Sequence, residues 1–396
     1  MATERQKQER SVINQAASEK AMTAKPPEKS ATDRPAQRRS KLLSLIKKAG
    51  LRGLLVTNPK NVTYLTGFSG DDSYLVVTPE KTVLLTDSRF TTQVEQECPG
   101  LPYETRTARK PMAELVGAFF KSSGNFSLGF ESQHVSFALH HDWANRLKSI
   151  TLVPTTDLVE QLRCIKDASE IAETREAVQM AQRGFEVVKS LFVPEMTEAA
   201  IAADLEHAMR RFGAAKVAFD PIIAVGPRAA LPHARAGNSQ LSEAGFVLLD
   251  WGASTPKGYK SDITRVVATG KVPAQIEKAY RVVLAAQLAA IALIRPGASC
   301  QEIDTAARKV IEDAGYGKYF GHGLGHGIGL DVHENPRFSP ISTDELKVGQ
   351  IVTVEPGIYF PELGGIRIED DVLVTKDGHE VLTSLPKSFE EFQARR

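Results

Sequence analysis

The sequence predicts an α+β protein in which a small α/β domain precedes a larger domain built from two similar halves. Short apolar runs alternate with helical stretches between residues 39 and 160, which indicates the α/β domain. Beyond residue 160, a pair of helical segments followed by a pair of strand-like segments occurs twice. Such an internal duplication predicts a sheet lined by helices, with its two halves facing each other.

The composition indicates an ordinary globular protein with a pocket for a small ligand. The 396 residues, of which 42% are hydrophobic and 24% are charged, suffice for two domains with sizeable cores. A formal net charge of +1 provides no large field of one sign that would hold nucleic acid or an anionic membrane. We therefore expect neither of these partners.

The cysteines and the apolar pattern predict a cytoplasmic location. Cys98, Cys164 and Cys300 are widely spaced and odd in number, which fits a reducing compartment better than a disulfide framework. The first ten residues mix acidic with basic side chains and contain no apolar segment, unlike a secretory signal or an acid-poor transit peptide. No apolar run approaches the roughly 18 residues that a membrane span needs.

Residues 1–38 are rich in Gln, Lys, Glu, Ala and Pro, a composition that buries too little apolar surface to fold alone. We predict a flexible N-terminal extension, with an arm that packs on a partner subunit as the alternative. An amphipathic helix from Leu42 to near Gly50 then opens the small α/β domain, residues 39–160. Its strands are predicted at three apolar runs: residues 54–57, 74–77 and 83–86.

The larger domain, residues 161–396, opens where Asp167 and Glu170 are placed as a helix cap and its capping-box partner. Two helices are predicted from apolar positions at helical spacing between Ile171 and Val188 and between Ile201 and Phe212. Strands follow at residues 246–250 and 261–269. The second copy of this order has helices at about 274–294 and 300–314 and strands at 351–355 and 365–375.

Four carboxylates lie on or beside these predicted strands. Asp250 ends the run FVLLD and Asp262 begins the next strand, while Glu355 ends IVTVE and Glu369 lies in GIRIEDD. Four strand segments from two matching halves can bring these groups to one site. Carboxylates packed together repel one another unless a cation compensates their charge, so the pattern indicates bound metal.

A glycine-rich segment, GHGLGHGIGLDVHENP (321–336), adds three histidines. Its glycines let the backbone and the imidazoles approach a site closely. One imidazole with four carboxylates suits a pair of divalent ions about 3.5–4 Å apart, with a water or hydroxide between them as the nucleophile. The residues therefore predict a two-metal hydrolytic site.

The sequence resembles the pita-bread metallopeptidases, the family of prolidase, aminopeptidase P and methionine aminopeptidase. The resemblance covers about residues 40–390 and implies a pita-bread catalytic domain, with pseudo-twofold helix pairs and a curved antiparallel sheet, behind the smaller domain. Four stretches carry it: LLDWGASTPKGYKSDITR (248–265), the 321–336 segment, VEPGIYF (354–360) and GGIRIEDDVLVT (364–375).

The resemblance implies that two divalent ions, manganese first with cobalt or zinc as alternatives, are held by five ligands: Asp250, Asp262, His326, Glu355 and Glu369. All five are present, which favours a working enzyme over the non-catalytic binding relatives that have lost ligands. A homodimer is also implied by the resemblance alone.

The resemblance further implies catalytic roles for His233, His333 and Glu355. The two histidines contact the substrate and the tetrahedral intermediate, and Glu355 also shuttles a proton to the leaving nitrogen. His322 is expected to be structural. Arg367 is expected to orient Glu369 or a neighbouring carboxylate.

The implied reaction is hydrolysis of the peptide bond before proline by a metal-bridging hydroxide. Xaa-Pro dipeptides are the first expectation, as in prolidase, and the alternative is an aminopeptidase P that acts on longer Xaa-Pro peptides. Arg337 stands where similar prolidases keep an arginine for the substrate carboxylate, with a surface arginine in a Pro-rich turn as the alternative.

Three further residues are candidate substrate contacts. Asp71 and Asp72 lie in NVTYLTGFSGDDSYLVV (61–77), where the family keeps small or neutral residues. An acid there could pair with the α-amino group of a short substrate, and the alternative, for at least one of the two, is a solvated turn. Tyr259, in GYKSD, either contacts the substrate or packs its hydroxyl in the sheet.

Overall fold

The computed structural model describes residues 34–120 and 126–392, so most of the predicted N-terminal extension, residues 1–33, lies outside the described residues. The chain forms two compact units. One runs to Gly129 and includes Asp142–Leu152, and the other comprises Phe130–His141 and Val153–Arg396.

The first helix, α1 (Arg34–Lys48), begins earlier than the apolar pattern from Leu42 indicated. Arg38 and Arg39 donate hydrogen bonds to the carbonyl oxygens of Tyr64 and Leu65, at 3.0 and 2.7 Å. These two arginines stabilise the first turns of the helix by polar contacts, which an apolar pattern does not register.

A six-stranded sheet follows, in the spatial order β4-β3-β2-β1-β5-β6. The strands predicted at 54–57, 74–77 and 83–86 are present within a residue or so. The strands are β1 (Gly53–Val56), β2 (Tyr74–Val77), β3 (Thr82–Asp87), β4 (Tyr103–Arg106), β5 (Phe126–Glu131) and β6 (Ile150–Thr155). The helices between them are α2 (Pro59–Thr66), α3 (Thr91–Glu97), α4 (Met112–Phe120) and α5 (Phe137–Arg146).

In the second unit the predicted duplication is present. A short helix, α6 (Glu160–Arg163), leads into the first half, which contains helices α7 (Ala168–Ser190) and α8 (Glu198–Arg211). Its strands are β7 (Lys216–Val217), β8 (Ile222–Val225), β9 (Phe246–Trp251), β10 (Ala253–Ser254) and β11 (Ile263–Ala268). The predicted capping box is confirmed, since Asp167 accepts from Ser169 and Glu170, and the Glu170 side chain accepts from Asp167.

The second half repeats the order with helices α9 (Ala274–Ile291) and α10 (Cys300–Asp313). Its strands are β12 (Gly325–Gly327), β13 (Glu334–Phe338), β14 (Ile351–Val354), β15 (Gly357–Phe360), β16 (Gly364–Arg367), β17 (Asp370–Val374) and β18 (His379–Val381), and helix α11 (Phe389–Phe392) follows. Small residues of α9, including Ala279, Ala286 and Ala290, are fully buried against the sheet and α10, so the helix packs closely.

One predicted strand is divided. The run 365–375 forms β16 and β17, because the chain changes its pairing partner from β15 to β14 between Arg367 and Asp370. At this break the N–H of Glu369 donates to the carbonyl of Thr264, 3.2 Å away. The exchange of partners therefore brings Glu369 next to the strands of the first half.

The strands that surround the site are antiparallel and buried. The orders are β11-β9-β8 in one sheet and β13-β12-β14-β17-β18 in another, with β15 and β16 forming a separate pair. Every residue of β9 and β11 is buried. No helix in the part of the chain that the structure describes is long and apolar enough to cross a membrane.

Candidate metal centre

The two halves bring the five predicted ligands to one place. Asp250 lies in β9, opposite Thr264 of β11, and Asp262 immediately precedes β11. His326 is the middle residue of β12, and Glu355 directly follows β14. Because these strands are buried, their polar side chains meet inside the protein rather than at its surface.

The distances within this group suit a shared cation. Asp262, His326 and Glu369 each offer a ligand atom, and these atoms lie within 4.8 Å of one another. The Nε2 atom of His326 is 3.2 Å from a carboxylate oxygen of Glu355 and 3.8 Å from one of Asp262. One imidazole thus sits among several carboxylates, as the sequence indicated.

Backbone and side-chain hydrogen bonds orient His326. Its Nδ1 lies 3.0 Å from the carbonyl oxygen of Gly327, a contact that holds a proton on Nδ1 and turns Nε2 toward the carboxylates, where it could ligate a metal ion. The N–H of His326 donates to the Thr353 hydroxyl, 3.1 Å away, and that hydroxyl lies 3.3 Å from Glu355. Thr353 therefore aligns two of the candidate ligands.

The cluster contains more negative charge than nearby side chains neutralise. Burial, with the charges of Glu369, Asp250 and Glu355, raises the pKa of Asp262 well above its ordinary value. Burial and the charges of Glu355 and Asp250 do the same to the pKa of Glu369. The pKa of Asp250 is also raised, by burial, although Arg367 opposes the change.

Glu355 behaves differently. Burial raises the pKa of its carboxyl, but the hydrogen bond and charge of His326, with the charges of His322 and Arg367, outweigh burial and lower it to about 2. Glu355 is therefore the carboxylate of this cluster that most readily stays ionised.

Two oxygens provide a direct test of whether a metal fits. Asp250 Oδ1 and Glu369 Oε1 are buried and have no hydrogen-bond donor among the described residues. Buried oxygens normally have a partner. A divalent cation would coordinate these atoms, and oxygen donors with one imidazole are a suitable ligand set for such an ion.

Arg367 orients a carboxylate, as predicted. Its guanidinium binds Asp250 and donates to the hydroxyls of Thr264 and Tyr359, at 3.1 and 2.8 Å. The carboxylate that it contacts is Asp250 rather than Glu369. Since the arginine is buried at 3% exposure, it fixes one oxygen of Asp250 and leaves the other toward the cluster.

Tyr359 was not identified from the sequence, although it lies in the quoted stretch VEPGIYF. Its hydroxyl is 2.9 Å from Nε2 of His322, whose Nδ1 lies 2.7 Å from the carbonyl oxygen of Gly323. Burial raises the pKa of Tyr359 to about 12. His322 thus connects the glycine-rich segment to Tyr359 and Arg367, in agreement with its predicted structural role. The available signal was the alternation of side chains along β15, because residues two apart, such as Gly357 and Tyr359, lie on the same face of a strand.

A cavity of about 1200 Å³ opens beside the cluster. Its lining includes all five candidate ligands as well as His233, His333 and Arg337. The rings of His326 and His333 have centroids 4.4 Å apart. Burial, with the positive charges of His326, Arg337 and His233, lowers the pKa of His333 to about 4, so this imidazole is neutral at physiological pH.

Arg337 lies across the strand pair from His326, its register partner in β12. It is exposed to the cavity, and its guanidinium forms no ion pair with any carboxylate of the described residues. A fixed cation therefore stands beside the candidate ligands, available for an anionic group of a bound molecule.

Tyr259 is not part of this lining. Tyr259 is 7% exposed, and its hydroxyl donates to Glu170 of α7 at 2.9 Å, which is the packing alternative. Asp71 and Asp72 belong to the first unit, where Asp72 pairs with Arg89 at 2.7 Å. A contact between these aspartates and a substrate stays a prediction.

Comparison with known proteins gives the family. Residues 172–376 match the model of metallopeptidase family M24, and residues 38–165 match the Creatinase/Prolidase N-terminal domain. The chain belongs to metallopeptidase family M24. This membership confirms the predicted pita-bread catalytic domain behind a smaller N-terminal domain, and it makes the protein an enzyme that depends on divalent metal ions.

Its family M24 relatives cover nearly the whole chain. An Xaa-Pro dipeptidase of Pyrococcus horikoshii is 34% identical over 350 residues, which are 88% of this chain and 97% of that protein. The structure of an Xaa-Pro dipeptidase from Bacillus anthracis superposes with a TM-score of 0.86 at 37% identity, covering 89% of this chain and 99% of the other. For the X-Pro aminopeptidase from Thermotoga maritima the TM-score is 0.81 at 34% identity, with the same coverage.

Proposed function

We propose that the protein is an Xaa-Pro dipeptidase, which hydrolyses the peptide bond before proline in a dipeptide. The observation that carries this proposal is the position of Arg337, a cation in the cavity lining and opposite His326. A dipeptide places its terminal carboxylate one residue beyond the scissile bond, where a guanidinium can bind it through two hydrogen bonds. The names of the Pyrococcus and Bacillus relatives support the same activity.

Asp250, Asp262, His326, Glu355 and Glu369 would hold the metal ions. Bound divalent ions supply Lewis acidity and a water that is activated for attack at neutral pH. The protein's own groups complete the site. The neutral imidazole of His333 and the side chain of His233, both in the cavity lining, can donate hydrogen bonds to the carbonyl oxygen as negative charge develops on it.

Glu355 is the proposed proton carrier. Its carboxylate lines the cavity, lies 3.2 Å from His326 Nε2 and is within 3.3 Å of the Thr353 hydroxyl. An ionised carboxylate can accept a proton from the attacking water and pass it to the imino nitrogen of the leaving proline. Arg367 would keep Asp250 in place throughout.

The test compares an Xaa-Pro dipeptide with an Xaa-Pro-Xaa tripeptide, after chelation and after adding Mn, Co or Zn in turn. We expect chelation to abolish hydrolysis and the dipeptide to have the higher kcat/KM. Arg337→Ala should raise the KM for the dipeptide by about 10- to 100-fold, since a charge-assisted hydrogen bond contributes about 1.5–3 kcal/mol. The tripeptide, with its carboxylate elsewhere, should change much less.

Arg211→Ala is a matched control, because Arg211 is an exposed arginine at the end of α8 and is not part of the cavity lining. It should leave both substrates unaffected. The dipeptidase proposal would be contradicted if the wild-type protein preferred the tripeptide and Arg337→Ala affected both substrates equally.

An aminopeptidase P acting on longer Xaa-Pro peptides is the second candidate. The cavity of about 1200 Å³ has room for more than a dipeptide, and the X-Pro aminopeptidase of Thermotoga maritima is 34% identical to this chain. The tripeptide arm of the same assay separates the two activities. A binding-only role is disfavoured because all five candidate ligands are retained.

The finer properties are proposals as well. Manganese is proposed as the metal because an oxygen-rich set with one imidazole accepts it, with cobalt and zinc as alternatives. A cytoplasmic location is supported by Cys98, Cys164 and Cys300, which are free thiols. A homodimer is proposed from the family resemblance, and sedimentation velocity would test it.

A further inference from the structure

His233 reaches the cavity on a long loop. Residues 226–237, which we call the His233 loop, follow β8 and precede the short 3-10 helix Leu241–Glu243. The loop begins with a 3-10 turn, Gly226–Ala230, and His233 is exposed within the cavity lining. A side chain on such a segment needs external contacts if its position is to be fixed.

A single buried carboxylate holds both ends of the His233 loop. Glu198, the first residue of α8, is 0% exposed. Its Oε1 accepts from the N–H of Val225, immediately before the loop, at 2.8 Å. Its Oε2 accepts from the N–H of Gly237, the last residue of the loop, also at 2.8 Å. The two ends are therefore joined through one side chain.

Arg228 completes this arrangement from within the loop. Its Nε lies 2.8 and 2.9 Å from the two oxygens of Glu198, and its Nη2 donates to the carbonyl of Arg235 at 2.6 Å. A Cβ atom on Gly237 would lie only 3.4 Å from Glu198 Oε2, so the backbone approaches the carboxylate closely. The ion pair thus connects the beginning of the loop with its end, through Glu198 and through the hydrogen bond from Arg228 to Arg235.

The tip of the loop is directed toward the metal cluster. The carbonyl of Pro232, which precedes His233, accepts a hydrogen bond from Arg367 NH2 at 3.4 Å, and the same guanidinium nitrogen binds Asp250. With its ends held by Glu198 and its tip resting on Arg367, the loop has little freedom to move His233.

We propose that Glu198 and Arg228 form a clasp whose role is to position His233 against the scissile carbonyl. The inference rests on the proposed peptidase function and deepens it. Neither residue is among the candidate metal ligands or the cavity lining, so both are positioning residues and act through His233. Glu198 is buried but the Arg228 side chain is 38% exposed, so their ion pair gives little stabilisation by itself, whereas a precisely held hydrogen-bond donor strongly affects the transition state.

The test substitutes Glu198→Gln, which keeps the size of the side chain but replaces one accepting oxygen with an NH2 group. The backbone N–H at one end of the loop then faces an N–H donor instead of an accepting oxygen. We expect kcat/KM for an Xaa-Pro dipeptide to fall by about 10- to 100-fold, with unchanged metal content. In a His233→Ala background the same substitution should change kcat/KM by less than about threefold, because the positioned group is already absent.

Equal losses in the two backgrounds would overturn the proposal, since a general structural defect is additive. Arg228→Lys keeps the positive charge, but a lysine side chain cannot reach both Glu198 and the Arg235 carbonyl. This variant should lose less kcat/KM than Glu198→Gln, and again only when His233 is present. Glu243→Gln is the matched control: Glu243 also accepts a backbone N–H, from Gln240 at 2.9 Å, but touches no residue of the loop's clasp. It should stay within about twofold of wild type.

Hydrogen–deuterium exchange separates this inference from the proposed function. Peptides covering residues 226–237 should exchange faster in Glu198→Gln than in wild type, without any substrate. Unchanged exchange would overturn the clasp whatever the kinetics show. A wild-type enzyme that fails to cleave Xaa-Pro peptides would instead overturn the proposed function, and the exchange experiment would still decide whether Glu198 holds the loop.

Discussion

At the scale of single residues, the metal centre is a group of carboxylates that repel one another. Burial and mutual charge raise the pKa values of Asp250, Asp262 and Glu369. These candidate ligands are therefore a source of instability when no cation is present. Substituting one of them should lower the activity but raise the stability of the metal-free protein.

Glu369→Gln is predicted to lower kcat/KM by about 100-fold or more, since one ligand is lost. In the presence of chelator, the variant should be more stable than wild type by on the order of 1 kcal/mol, because one like charge is gone. The hydrogen bond from Thr264, 2.6 Å long, can be retained by the glutamine. Retained activity, or a chelated variant that unfolds more easily, would contradict this assignment.

A second residue-scale feature lies next to His333. Glu334 is buried and pairs with Lys166 at 2.9 Å and with Arg163 at 2.6 Å, while Arg163 also pairs with Asp331 at 2.5 Å. Burial raises the pKa of Glu334, but the two cations outweigh burial and lower it below its ordinary value of 4.5. The segment after α6 is in this way tied to the strand that follows His333.

Glu334→Gln is predicted to lower the free energy of unfolding at pH 7 by about 3 kcal/mol, because it leaves buried cations uncompensated. A carboxyl whose pKa is lowered on folding stabilises the protein above its unfolded pKa, and this contribution is lost as the pH falls. The difference between the variant and wild type should therefore shrink below pH 4.5. Denaturant unfolding at a series of pH values measures it.

The matched control is Glu380→Gln, which breaks the exposed ion pair with Arg175. An exposed pair contributes little, so its loss should cost less than about 1 kcal/mol. Equal costs for the two substitutions at neutral pH would show that burial of the Glu334 network has no special effect.

At the scale of elements, glycines allow the ligand-bearing strands to approach one another. A Cβ atom on Gly325, next to His326, would overlap the carbonyl of Thr353 in β14. A Cβ on Gly252, two residues after Asp250, would overlap the carbonyl of Ser261. In each half, therefore, a glycine next to a ligand lets backbone pack directly against backbone.

Gly325→Ala is predicted to displace β12 from β14 and to shift His326. A displacement of about 1 Å can cost about 100-fold in rate, so we expect a loss of that size in kcat/KM together with weaker metal binding. Gly270→Ala is the control, since a Cβ there would meet only Gly245 at an ordinary 3.7 Å. Metal titration and steady-state kinetics on both variants test the prediction, which fails if the two behave alike.

At the scale of the whole molecule, we expect metal binding and folding to be coupled, because the candidate ligands come from both halves of the second unit. A ligand that binds only the folded state stabilises it by about 2.7 kcal/mol when its concentration is a hundred times Kd. We predict a gain of this order for each ion when Mn is added to the chelated enzyme. Asp262→Asn should lose most of the gain, and a Tm independent of metal would contradict the coupling.

The fold and the convergence of the five candidate ligands on one cavity could be predicted from the sequence because both have local signals. Apolar runs mark the strands, a capping box marks α7, and each candidate ligand lies on or beside a recognisable strand or glycine segment. The missed features depend on partners far along the chain. Tyr259 meets Glu170 across 89 residues, and Glu334 meets Lys166 across 168. No local pattern encodes such a partner.

The boundaries of strands likewise depend on partners far along the chain. Residues 365–375 were predicted as one continuous strand, since apolar residues recur from Ile366 to Val374. The division between β16 and β17 follows from which strands are available as neighbours. Likewise, the partner of Arg367 could be narrowed only to a nearby carboxylate until the fold placed it against Asp250.

The change of strand partner at Glu369 joins segments of the enzyme that are synthesised at different times. Thr264 and Glu369 are 105 residues apart, and Asp250 and Arg367 are 117 apart. A ribosome adds roughly 5–20 residues per second, so the early aspartates wait several seconds or more for their later partners. During synthesis the first half carries carboxylates without the rest of the ligand set. With these residues as the metal ligands, we expect catalytic competence only once both halves of the second unit have been made.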